Sequence, residues 1–138
     1  EKVARGLNDD RKAVNGSRVM VLGIAYKPNI DDMRESPALD VMRLLEQRGA
    51  TVVYHDPHVP SFREDGHEAH SVALTADELA RCDAVVVVTD HKSVDYQFVA
   101  DHTGLVIDTR HAMAKLKASK ARVIDLTSST VAVAGAHA

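Results

Sequence analysis

RVMVLGIAYKPNIDDMRESPALDVMRLLEQRGATVVY, residues 18–54, holds in order a strand, a long loop, a helix and a second strand. RVMVLG at 18–23 is a short apolar, β-branched run with a charged entry and a glycine exit, the pattern of a buried strand. In residues 36–48, Ala38, Val41, Met42 and Leu45 fall at i, i+3, i+4 and i+7 and form one apolar helical face. Ser36 is a natural N-cap, and Pro37 occupies the first helical position, where its missing N–H costs nothing. Gly49 supplies the C-terminal stop, and TVVY at 51–54 is the next strand.

Working outward, residues 1–14 carry Val3, Leu7 and Val14 among charges, which suits a helix with one narrow buried stripe, and Asn15-Gly16 ends it. Downstream of Tyr54, the loop His55-Asp56-Pro57-His58-Val59-Pro60 leads into a charged stretch reaching Ser71. Thr75 and Glu78 make a capping box that opens a short helix over 76–81. Residues 84–88 are the most apolar strand and the natural centre of the sheet. A helix around 93–100, a strand at 105–108 and a last strand at 122–125 follow, and the small-residue tail 127–138 is expected to fray. Continuous apolar strands separated by helices imply a doubly wound, mostly parallel, Rossmann-like α/β sheet with helices on both faces. At 138 residues and 45% hydrophobic content the chain has material for a single core. It divides into a linking helix (1–15), an α/β core (16–126) and a tail (127–138).

The charge balance, 17 Lys+Arg against 20 Asp+Glu, gives no basic excess for a nucleic-acid backbone or an acidic membrane surface. No apolar run approaches the roughly 20 residues that span a bilayer. One cysteine, Cys82, excludes an intrachain disulfide, and no secretory leader is evident, so a cytoplasmic protein is expected. The chain starts at Glu1 without a methionine and reads as a fragment. Cys82 lies between a short helix and a core strand, a place for a structural thiol. The eight histidines include the pairs His55/His58 and His67/His70, the latter able to align on a helical turn. Two imidazoles rarely hold zinc without two further ligands, so no metal site is expected and the histidines read as solvated.

Ligands of such sheets bind outside the carboxyl ends of the strands, where loops meet helix N-termini. The loop between Gly23 and Ser36 exceeds the usual 2–6 residues of such connections. It holds Tyr26, the cations Lys27 and Arg34, and the carboxylates Asp31, Asp32 and Glu35, which is equipment for an anionic ligand such as a diphosphate. On spacing alone, mutual pairing of these charges on a solvated loop explains them equally well. A second loop, Asp108-Thr109-Arg110, follows the strand LVID and aims another cation at the same edge.

The stretch VLGIAYKPNIDDMRESPALDVMRLLEQRGATVVYHDPHVP, residues 21–60, resembles the C-terminal domain of the UDP-glucose/GDP-mannose dehydrogenase family, whose G-x-A-[FY]-K-x-x-x-x-D-x-R-E-S signature it carries. The likeness runs from about residue 7 to residue 110. It implies that Tyr26, Lys27 and Arg110 contact a UDP-sugar, that Arg34 reaches the NAD held on an N-terminal domain, and that Asp32 and Asp108 orient Arg34 and Arg110. It further implies oxidation of a C6 alcohol to a carboxylate through an aldehyde and a cysteine-bound thioester, with two NAD reduced. UDP-N-acetylhexosamines are the expected substrates, UDP-N-acetylglucosamine before UDP-N-acetylmannosamine and UDP-glucose. The expected partners are the N-terminal and central domains of the same enzyme, in a homo-oligomer. The family's catalytic cysteine motif and its G-x-G-x-x-G fingerprint are both missing, so no catalytic residue is expected here and the chain alone should be inactive. Those omissions leave open a free-standing nucleotide-binding or regulatory domain without redox chemistry, or a dimerisation domain.

Overall fold

The computed structural model describes residues 14–25, 37–64, 67–113, 121–125 and 131–133. Strand β1 (Arg18–Leu22) is followed by helix α1 (Pro37–Gln47), β2 (Thr51–His55), the hairpin β3 (Ser61–Glu64) and β4 (His67–His70), then α2 (Ala76–Arg81), β5 (Ala84–Val87), α3 (Tyr96–His102), β6 (Leu105–Asp108), β7 (Arg122–Asp125) and β8 (Val131–Val133). The main sheet has the order β2-β1-β5-β6-β7-β8. The first five are parallel neighbours and β8 runs antiparallel to β7.

Because side chains alternate along a strand, β1 feeds two cores at once. Val19 and Val21 pack on one face with Ala38, Met42 and Leu45 of α1, while Met20 and Leu22 pack on the other with Leu79 of α2 and Val99 and Ala100 of α3. β5 and β6 are buried at every position, which explains their unbroken apolar runs. The doubly wound expectation holds, with β5 in the interior of the sheet.

Local signals act as the residue types dictate. Helix α1 ends in a Schellman arrangement: the Gly49 N–H donates to Glu46 O at 3.0 Å and the Ala50 N–H to Leu45 O at 3.1 Å, with Gly49 at φ 91°. Thr75 caps α2 by accepting from the Glu78 N–H at 3.1 Å, as the capping box predicts. The expected N-cap Ser36 and the helix over 1–14 lie outside the described residues, apart from Val14, which packs partly buried against the α1 core.

Three elements differ from expectation. The charged stretch before Ser71 contains the β3–β4 hairpin, which alternation could not reveal because each strand offers one apolar residue, Phe62 or Ala69, paired across the ladder. Phe62 covers Tyr54 with ring centroids 5.2 Å apart, and Val72 N–H donates to Tyr54 O at 2.8 Å, so the hairpin rests on the end of β2. Helix α3 starts later than expected, at Tyr96, because the Asp95 side chain caps the Phe98 N–H at 3.1 Å. The tail expected to fray holds β8, which pairs with β7.

Gly23 ends β1 at φ 87°, and a Cβ built there would lie 2.6 Å from Thr89 O and 2.8 Å from Thr89 Cβ. The close approach of the β1 and β5 exits therefore requires glycine. Gly23→Ala should lower unfolding free energy by about 1–3 kcal/mol in urea titrations, through positive-φ strain and this clash. A loss under about 0.5 kcal/mol would contradict the packing described.

Candidate functional site

Numbered among themselves, the five parallel strands run 2-1-3-4-5, the doubly wound order whose crevice opens between the first and third. Here that switch point lies between β1 and β5, at Leu22 and Val87. The loops that meet there start at Gly23, Asp56 and Val88, and the loop after β6 stands beside them.

Asp56, 1% exposed, follows β2 and organises three of these loops. Its Oδ2 accepts from the Ile24 N–H at 2.7 Å, the Ala25 N–H at 2.9 Å and His91 Nε2 at 3.0 Å. Its Oδ1 accepts from the His58 N–H at 2.7 Å, closing a tight turn through Pro57. Burial pushes the Asp56 carboxyl up, but the hydrogen bonds from Ala25, His58, His91 and Ile24 outweigh it and hold the group below the ordinary carboxylate range. Thr89 adds a separate tie, its hydroxyl donating to Ala25 O at 2.7 Å. The His91 N–H donates in turn to the Tyr96 hydroxyl at 2.9 Å.

The loop after β6 is built by a second buried carboxylate. Asp108 Oδ1 accepts from the Arg110 N–H at 3.0 Å and Oδ2 from the Met113 N–H at 2.8 Å, while the Thr109 N–H donates to Val87 O at 3.2 Å. His111 between them adopts φ 60°, a left-handed conformation uncommon outside glycine. Asp108 thus folds the turn that carries Arg110 through its backbone. The Arg110 side chain is exposed and has no ion-pair partner among the described residues.

Of the residues singled out from sequence, Arg110 stands at the carboxyl edge as expected, whereas Tyr26, Lys27, Arg34, Asp31, Asp32 and Glu35 lie outside the described residues. Cys82 caps α2 at 6% exposure, and burial together with Glu78 pushes its thiol up to about 11. It enters β5 next to Arg18, which pairs with Glu78 at 2.8 Å, at the end of the sheet opposite Arg110.

Sequence reading missed the Asp56–His91 pair. The solvated-histidine expectation fails at His91, which is 0% exposed, and at His58, whose ring lies 4.7 Å from that of His91 with a buried Nε2 that has no partner among the described residues. His67 and His70 belong to strand β4, not to a helical turn. No group of three metal-ligating side chains occurs among the described residues. No helix among them is long and apolar enough to cross a membrane. A cleft of about 610 Å³ between α1, β2 and the hairpin, lined by Met42, Tyr54 and Phe62, is separate from this edge.

In a dinucleotide site the amides of the turn after the first strand face the pyrophosphate. Here the Ile24 and Ala25 amides are already taken by a buried carboxylate, so this turn does not fit a dinucleotide pyrophosphate. Those two amides are therefore not free to meet an anion at this edge.

A carboxylate with a depressed pKa contributes stability that is complete above its unfolded value of about 3.9 and is lost as pH falls through the folded value. Asp56→Asn should therefore cost about 1–3 kcal/mol at pH 7. The unfolding curves of the two proteins should converge below pH ~3.9. A pH-independent difference would remove the charge from this account.

The model of the UDP binding domain of the UDP-glucose/GDP-mannose dehydrogenase family matches residues 20–115. The chain is 36% identical over 110 residues to the UDP-glucose 6-dehydrogenase of Haloferax volcanii, covering 77% of this chain and 26% of that protein. It is 31% identical over 104 residues to the UDP-N-acetyl-D-mannosamine dehydrogenase of Escherichia coli K12, covering 68% and 24%. Among solved structures, the UDP-D-ManNAc dehydrogenase of Pyrococcus horikoshii superposes with a TM-score of 0.68 at 26% identity, covering 88% of this chain and 28% of that one. The chain thus spans about a quarter of the length of the relatives it matches. Its signature loop, its sheet order and these matches agree that the chain belongs to the UDP-glucose/GDP-mannose dehydrogenase family and comprises that family's UDP binding domain.

Proposed function

We propose that this domain binds the UDP portion of a nucleotide sugar for an NAD-dependent 6-dehydrogenase, with Tyr26, Lys27 and Arg110 as its contacts. The observation that carries the reading is the exposed Arg110, without an ion-pair partner among the described residues, on a turn fixed by Asp108 at the edge from which the long β1 loop departs. A guanidinium can grip a phosphate or uracil oxygen through two parallel N–H donors, and Lys27 would add a compact charge to the same diphosphate. The Asp56 carboxylate favours this division of labour, since it occupies the turn amides and leaves the anion to the cations.

The hydride acceptor is NAD, and the unsuited β1 turn argues for its being held outside this chain, with Arg34 reaching toward it. The nucleophilic cysteine is likewise assigned to the remainder of the enzyme, because the Cys82 thiol is buried, protonated at neutral pH and at the wrong end of the sheet. What these residues supply is binding and orientation of the substrate's nucleotide end, which positions C6 for chemistry elsewhere. UDP-N-acetylhexosamines are the proposed substrates, with UDP-N-acetylglucosamine first. The mannosamine-specific names of several relatives favour UDP-N-acetylmannosamine as the second reading.

Calorimetry of the 138-residue chain with UDP should give weak, saturable heat in the sub-millimolar to millimolar range. Arg110→Ala should weaken that binding by about tenfold or more, as expected for losing a charged hydrogen-bond partner. With NAD and UDP-N-acetylglucosamine, the same preparation should generate no NADH absorbance. Absence of UDP heat at millimolar ligand, or an unchanged affinity in Arg110→Ala, would contradict the proposal.

A further inference from the structure

We propose that Asp56 is a positioning residue for UDP binding, acting through the backbone of Ala25 to set where the ligand loop leaves the sheet. The inference rests on the reading of Tyr26 and Lys27 as ligand contacts. Ala25 is held at both of its peptide groups: its N–H donates to Asp56 Oδ2 at 2.9 Å, and its C=O accepts the Thr89 hydroxyl at 2.7 Å. The preceding Ile24 N–H donates to the same Asp56 oxygen at 2.7 Å. Tyr26 and Lys27 are the next two residues of the chain, so their backbone starts from a point with little freedom.

The carboxylate is itself immobilised. His91, fully buried, holds Oδ2 at 3.0 Å, and the His58 N–H holds Oδ1 at 2.7 Å. His91 in turn is fixed by its N–H on the Tyr96 hydroxyl and by the adjacent His58 ring. Ligand groups on a loop bind well only when their orientation is set beforehand, because ordering them on binding subtracts from affinity. Asp56 supplies that preorganisation through the Ile24 and Ala25 backbone, immediately before the ligand loop.

A double-mutant cycle on the 138-residue chain tests this, with UDP affinity measured by calorimetry at a temperature where thermal melts show every variant folded. Asp56→Asn should weaken UDP binding by about tenfold in the wild-type background. In a Lys27→Ala background it should weaken binding by a clearly smaller factor, because one of the two groups it positions is gone. Should Asp56→Asn fail to fold, Thr89→Val removes the other tie on Ala25 and should show the same dependence on Lys27 at about threefold. A variant that melts earlier yet binds UDP as tightly as wild type overturns the inference, as does an equal loss in both backgrounds. A wild-type chain that binds no UDP overturns the proposed function and this inference with it, whereas normal wild-type binding with unaffected variants overturns the inference alone.

Discussion

A carboxylate buried at the meeting point of three loops must find donors for its lone pairs, and Asp56 finds four. That requirement organises the carboxyl edge of the sheet. It draws the β1 exit, the turn after β2 and the His91 segment after β5 into one knot, and Gly23 permits the contact because any Cβ there would strike Thr89. Removing one partner would leave the others buried and unpaired, which is why the knot acts as a unit.

The two ends of the sheet are specialised in opposite ways. At the amino end Arg18 pairs with Glu78, its N–H donates to Asp83 at 2.9 Å, and Cys82 lies 3.7 Å from Glu78, a closed cluster with its charges mutually satisfied. At the carboxyl end the buried acids Asp56 and Asp108 spend their hydrogen-bonding capacity on loop backbone and leave Arg110 in solvent. Charges that are paired stabilise, and charges that are held apart from partners remain available to a ligand. The five parallel strands set this polarity, since each of them points its loop-bearing end the same way.

Much of this was legible in the chain because the relevant signals are local. The period of α1, the apolar runs of β1, β5 and β6, and the Thr75–Glu78 cap each follow from neighbours within one turn or one strand. The hairpin was not legible, because its stabilisation comes from Phe62 lying over Tyr54 and not from its own alternation. The Asp56–His91 pair was hidden for the same reason, its partners being 35 residues apart. An aspartate before proline reads as an ordinary turn, and only the fold brings His91 beneath it. Arg110 could be placed because it follows directly on a strand, so its edge was determined once the sheet was known to be parallel.

The central claim is that a uridine diphosphate binds at the carboxyl edge, above the Asp56 knot and against Arg110. Amide chemical shifts followed through a UDP titration of the isotope-labelled chain report that location residue by residue. The account predicts shifts concentrated at Ile24, Ala25, Thr89, Arg110 and His111, with Arg18, Cys82 and Asp83 at the opposite end unmoved. Perturbations centred instead on the cleft between α1 and the hairpin, at Met42, Tyr54 and Phe62, would contradict it.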